Sequence, residues 1–177
     1  LPENVRNVNI TMGYSLKDIP IAGLFENLFK LHLNQFKFEK APQDQFYYKD
    51  VLKLLKEPIL NKIEPSILQK LCTVIQSENS IFLSVKSISN LLNSNEIKKL
   101  EFIFSLFKFS LDMNAVIQQC KNLIFVLKDY TEGVEKEYAF RFYNVFQQLE
   151  TLNRTYGYIT DLKTLRLFYN QVIRTEK

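Results

Sequence analysis

Glu135-Lys-Glu-Tyr-Ala-Phe-Arg-Phe-Tyr-Asn-Val-Phe-Gln-Gln-Leu-Glu-Thr-Leu152 decides the fold class. Tyr138, Phe142, Val145, Phe146, Leu149 and Leu152 recur at steps of three and four, the period of a helix that buries one face. The stretches on either side repeat the pattern. Upstream, Asp112 to Tyr130 carries Val116, Cys120, Leu123 and Leu127 on one face. Downstream, Leu162, Leu165, Phe168, Tyr169, Val172 and Ile173 form a stripe, and Thr160 is placed to cap that helix. With only 4 glycines and 5 prolines, the chain lacks the turns of a sandwich or barrel and suits long helices.

The helical period continues toward the N-terminus. Leu100 to Phe109 packs in Phe102, Ile103, Phe104, Leu106, Phe107 and Phe109. A helix apolar nearly all round is buried on most sides, so this segment is expected at the centre of the core. Asn93-Ser-Asn-Glu96 has the spacing of a capping box, and Ser84 to Asn93 reads as a small helix. Pro65 opens a helix striped by Ile67, Leu68, Leu71 and Ile75. Phe46 to Pro58 reads as a short amphipathic helix, with Tyr47, Val51, Leu54 and Leu55 on one side and lysines on the other. Pro58 stops it. Ile21, Leu24, Phe25, Leu28 and Leu31 mark a further helix, with Ser15 or Asp18 as cap and Pro20 in its first turn. His32, the one histidine, lies near that helix's end, where a positive charge would favour the dipole.

The opening stretch differs. Val8, Ile10 and Met12 alternate with Asn9 and Thr11, a period of two that reads as a half-buried strand. Gly13 ends it. Its partner is either Ile81–Val85, the other candidate strand, or a sheet outside this chain, and we favour the second. The expected fold is mainly α: a multi-helix domain with one short N-terminal strand and at most one further short strand. Residues 1–16 are read as the strand or arm of a larger domain, and 17–177 as a single all-α inserted subdomain. A chain of 177 residues buries roughly 70% of the surface its unfolded form exposes and needs no metal or disulfide to do so.

Composition bounds the chemistry. Apolar residues make up 46% and charged residues 24%, with a formal net charge of +4, a globular profile with a mild basic excess. No run approaches the roughly 20 apolar residues of a membrane span, and no leader peptide is read at the start. Cys72 and Cys120 stand far apart among apolar neighbours, as buried free thiols do, which suits a reducing, cytoplasmic setting. The glycines are too scattered for a phosphate-binding loop, and no Cys/His cluster has zinc spacing. Glu135 and Glu137 are two apart on a helix and face different directions. No catalytic residue, cofactor or metal ion is expected in this chain.

Two stretches carry a resemblance: NVNITMGYSLKDIPIAGLFENLFKL, Asn7 to Leu31, and FYYKDVLKLLKEPIL, Phe46 to Leu60. Their order and spacing resemble the AddB-type subunit of bacterial ATP-dependent helicase–nuclease recombination complexes, in its PD-(D/E)XK-containing form. Ser15 stands where that family has proline, and Glu57 and Ile59 stand where it has histidine and tyrosine. The resemblance implies that Val8 to Met12 belongs to the second RecA-like helicase domain and that the helices from Asp18 onward form a subdomain inserted into it. It implies a phosphate loop in another domain and a nuclease far beyond Lys177. None of the nuclease residues or iron–sulfur cysteines of the family maps onto Cys72, Cys120 or any other residue here.

The function expected is then that of a non-catalytic helical subdomain in DNA double-strand-break repair. It would touch the DNA backbone without reading sequence and would contact a partner helicase–nuclease subunit. Neither a membrane nor a small-molecule substrate is expected. Candidate phosphate contacts are Lys49, Lys53 and Lys56, together with Arg154, Lys163 and Arg166. The competing expectation is an independent all-α protein-interaction module unrelated to DNA.

Overall fold

The computed structural model describes residues 15–35 and 44–176. The expected strand at Val8 to Met12 lies outside them. A 3₁₀ turn, Leu16–Asp18, leads into α1 (Pro20–Gln35). Pro20 takes the first helical position, where its missing N–H costs nothing. Ser15, one of the two alternative caps expected, instead donates its hydroxyl to the Ile173 carbonyl at 3.3 Å. Two short segments follow, β1 (Gln45–Tyr47) and α2 (Tyr48–Leu55). Next come α3 (Pro65–Ser77), β2 (Phe82–Ser84), α4 (Val85–Ser89), α5 (Ser94–Lys99) and α6 (Glu101–Ser105). The long helices close the chain: α7 (Met113–Lys128), α8 (Val134–Tyr156) and α9 (Leu162–Thr175). Among the described residues the fold is mainly α, with one short two-stranded antiparallel sheet.

That sheet corrects the reading of Phe46 and Tyr47 as helical. β1 pairs with β2 in the register Gln45↔Ser84, Phe46↔Leu83, Tyr47↔Phe82. Phe46 and Leu83, opposite one another, are both buried, while their neighbours are only partly so. The candidate strand at Ile81–Val85 therefore has its partner in β1. Ser84 ends the ribbon and caps α4 at once, exchanging hydrogen bonds with Ser87 in a capping box.

The core is centred on α1, not on Leu100 to Phe109 as expected. Ile21, Ala22, Leu24, Phe25, Leu28, Phe29, Leu31 and His32 are all buried, so α1 is enclosed on most of its circumference. Phe25 meets Phe146 edge-on at a centroid distance of 4.6 Å and lies 6.3 Å from Phe142 and 6.1 Å from Tyr169. Leu100 to Phe109, by contrast, holds only the short helix α6, and residues 106–109 run on as a turn and loop. Its side chains cannot share one stripe: Leu100, Ile103, Leu106 and Phe107 are buried, whereas Phe102, Phe104 and Phe109 are half-buried.

α7 and α8 form an antiparallel pair that buries an ion pair. Lys121 and Glu150 are each 5% exposed, with Nζ and Oε2 2.7 Å apart. Lys121 also donates to Gln147 and lies 5.1 Å from the Tyr143 ring centroid. Its hydrogen bond holds the Glu150 carboxyl below the usual range against the opposing effect of burial. α8 ends at Gly157, whose φ of 66° is a left-handed conformation open to glycine at no steric cost. α9 is capped one residue later than expected: the carboxylate of Asp161, not Thr160, accepts from the Thr164 N–H at 2.7 Å.

The two ends of this body meet. Leu16, read from sequence as part of the arm, is 1% exposed, and its N–H reaches the Glu176 carbonyl at 3.4 Å. Leu16 is thus packed into the helical body. Cys72 and Cys120 are buried free thiols, and burial pushes both up from the ordinary thiol range.

Candidate nucleic-acid interface

α2 builds the basic surface. Val51, Leu52, Leu54 and Leu55 are buried, which turns Lys49, Lys53 and Lys56, at i, i+4 and i+7, outward along one exposed line. The acidic residues of the same segment point the other way. Asp50 is buried and accepts from Asn34 Nδ2 at 2.7 Å. Glu57 is buried against Gly23 and accepts from Asn27. Burial raises the Glu57 carboxyl above the usual range, and the Asn27 hydrogen bond offsets this in part. Asn27 and Asn34 both lie on α1, so α1 draws inward the Asp50 carboxyl of α2 and the Glu57 carboxyl just beyond its end. What remains in solvent is a row of three ammonium groups, and among the described residues no carboxylate pairs with any of them.

The other three candidates sit elsewhere. Arg166 on α9 is engaged: its guanidinium forks onto the Glu26 carboxylate of α1, with Nε 3.0 Å from Oε2. Burial alone would raise Glu26, but the hydrogen bonds from Arg166 and Lys30 outweigh it and hold the carboxyl below the usual range. Arg166 therefore fastens α9 to α1. Arg154 reaches back to Glu150 at 2.6 Å, yet 69% of its side chain is exposed. Lys163 is exposed in the first turn of α9. α2 and α9 pack on different stripes of α1, so the lysine row and the α8–α9 residues form two surfaces and not one.

No family model, curated protein or solved structure matches this chain.

The α8–α9 turn adds two residues that the sequence reading passed over. Tyr156 and Tyr158 are 61% and 58% exposed and lie face to face, with centroids 5.4 Å apart and planes 9° from parallel. Asn153 fixes the turn between them: its Oδ1 accepts from the Ile159 N–H at 2.8 Å, and its Nδ2 donates to Asn114. A stacked pair of exposed rings, two and four residues after Arg154, offers a surface on which bases can stack. The signal in the sequence is Tyr156-Gly-Tyr158: a glycine at a helix end turns the following ring back over the preceding one.

His32 belongs to the interior. Its Nε2–H donates to the Leu106 carbonyl at 2.7 Å, and its ring stacks on Phe109 at 3.9 Å. Burial lowers its pKa to about 4, so the ring is neutral at pH 7. This corrects the expected charge–dipole contact at the end of α1. In the unfolded chain the imidazole takes up a proton near pH 6.5. The folded chain resists that proton down to about pH 4, so stability is full above the unfolded pKa and is lost as the pH falls between the two values. Lowering the pH from 7 to 5 is expected to remove about 2 kcal/mol through this group alone. His32→Gln should abolish most of that difference in urea melts. The wild-type proton resonance of the single imidazole gives the midpoint directly, and a value near the ordinary 6.5 would place the ring in solvent.

Proposed function

We propose that this chain is a non-catalytic helical subdomain of a DNA double-strand-break repair helicase–nuclease, an AddB-type subunit, and that it guides DNA by touching its backbone. The observation that carries the reading is the solvent face of α2. The carboxyls of Asp50 and of Glu57 just past its end are drawn into the interior, and Lys49, Lys53 and Lys56 stand clear of any counter-charge among the described residues. Such a row meets phosphates as point charges and reads no bases. Arg154 and Lys163, with the stacked Tyr156 and Tyr158, supply a second contact suited to an unpaired strand. The meeting of Leu16 and Glu176 also supports the reading, because an insertion must leave its host where it entered. A partner helicase subunit would be contacted by the same body, and the parent protein would supply the ATP-driven and nuclease chemistry.

Salt dependence tests the reading. Each neutralised phosphate contributes about 0.7 to the slope of log K against log salt on single strands, and about 0.9 on duplex. The triple variant Lys49→Gln/Lys53→Gln/Lys56→Gln should therefore flatten that slope by roughly 2 to 3 while leaving helix content unchanged. An unaltered slope would remove α2 from the interface. Failure of the wild-type chain to bind DNA at low salt would remove the reading itself.

A further inference from the structure

The α7–α8 hairpin carries a second surface, of opposite character to the lysine row. Ile124, Phe125 and Lys128 of α7 face Lys136, Ala139, Phe140 and Tyr143 of α8 across a groove of about 380 Å³. The α8 residues fall at i, i+3, i+4 and i+7, so one helical face forms that wall. Phe125 is 52% exposed and Phe140 63%, and Phe125 meets the Tyr143 ring edge-on at 5.3 Å. Val134 and Tyr130, at the same end of the hairpin, are exposed as well. Large apolar side chains gathered in this way on a protein surface mark an interaction site.

The charges of the groove indicate its occupant. Lys128 and Lys136 are the charged residues that line it, and among the described residues neither has an acidic partner. Glu135 is held by Lys62 and Glu137 by Arg141, and Asp129 and Glu132 of the α7–α8 connection do not line the groove. A second copy of this chain is a poor occupant, because a two-fold contact sets a patch against itself and would oppose ammonium to ammonium. We infer that the groove receives an acidic amphipathic helix of another protein, with aliphatic or aromatic anchors seated against Phe125 and Phe140 and carboxylates meeting Lys128 and Lys136. A groove between two helices with apolar walls and a charged rim is the usual receptor for such a segment. This inference is independent of whether the chain contacts DNA.

Random peptides of about 16 residues, roughly four helical turns, displayed on phage and selected against the intact chain, make the test. Selected sequences should place Leu, Ile or Phe at helical spacing with Asp or Glu at the flanks. A labelled peptide of that kind should bind the wild-type chain in a fluorescence anisotropy titration. Phe140→Ser should weaken it at least about tenfold; the site is exposed, so circular dichroism should show the fold retained. Lys128→Glu/Lys136→Glu should weaken it comparably. Four outcomes would each overturn the inference: no enrichment, enrichment of basic peptides, affinity indifferent to the lysine reversal, or self-association of the chain that Phe140→Ser abolishes.

Discussion

Phe25→Ala lowers the free energy of unfolding by about 3–5 kcal/mol, the range for deleting a buried phenylalanine. Phe25 has no solvent exposure and touches four rings drawn from three helices: Phe29 of α1, Phe142 and Phe146 of α8, and Tyr169 of α9. Loss of its ring removes apolar burial and the edge-on contact with Phe146, and it leaves a cavity walled by side chains that cannot all move inward. Phe104→Ala supplies the contrast. Phe104 is only half-buried, so its truncation should cost roughly 1–2 kcal/mol. Urea unfolding of the two variants side by side checks the order. Equal losses would mean that α6, not α1, lies at the centre.

Lys121→Met has the second large effect, about 3 kcal/mol, because breaking one side of a buried pair strands the other charge. Glu150 would keep Arg154 at 2.6 Å on its solvent side, which holds the loss to the lower end of the range for such breaks. Lys121→Met/Glu150→Leu should recover most of the loss, since an apolar pair of similar size needs no desolvation. The contribution of the pair is full above the ordinary glutamate range and disappears as acid protonates Glu150 through its lowered folded pKa. A double variant no more stable than the single one would mean that the pair is not desolvated.

Much of the helical scaffold is legible in the residue order. In α3 the stripe of Ile67, Leu68, Leu71 and Ile75 is buried as its period requires, and Cys72 is buried beside it. Asn93 and Glu96 form the capping box that their spacing announces. β1 was not legible, because three residues hold too little alternation to separate a strand from the first turn of a helix. The centre of the core was misplaced because a dense run of phenylalanines outweighed continuity. Phe102 to Phe109 has the rings, but only α1 keeps one unbroken helix on which they can all be enclosed. For the candidate interface, the spacing of Lys49, Lys53 and Lys56 could be read directly. The inward turn of Asp50 and Glu57 depends on Asn34 and Asn27 of another helix. Arg166 is held by Glu26, 140 residues away, and no local pattern foretells that.

The contact between Leu16 and Glu176 also has a mechanical meaning. Tension that pulls Ser15 and Glu176 apart acts on two neighbouring points of the body. It loads the turn at Leu16–Asp18 and the last turn of α9, and first strains the Ser15–Ile173 and Leu16–Glu176 bonds. A pull that separates Ser15 from Glu176 therefore has to break these two bonds before α9 peels from α1.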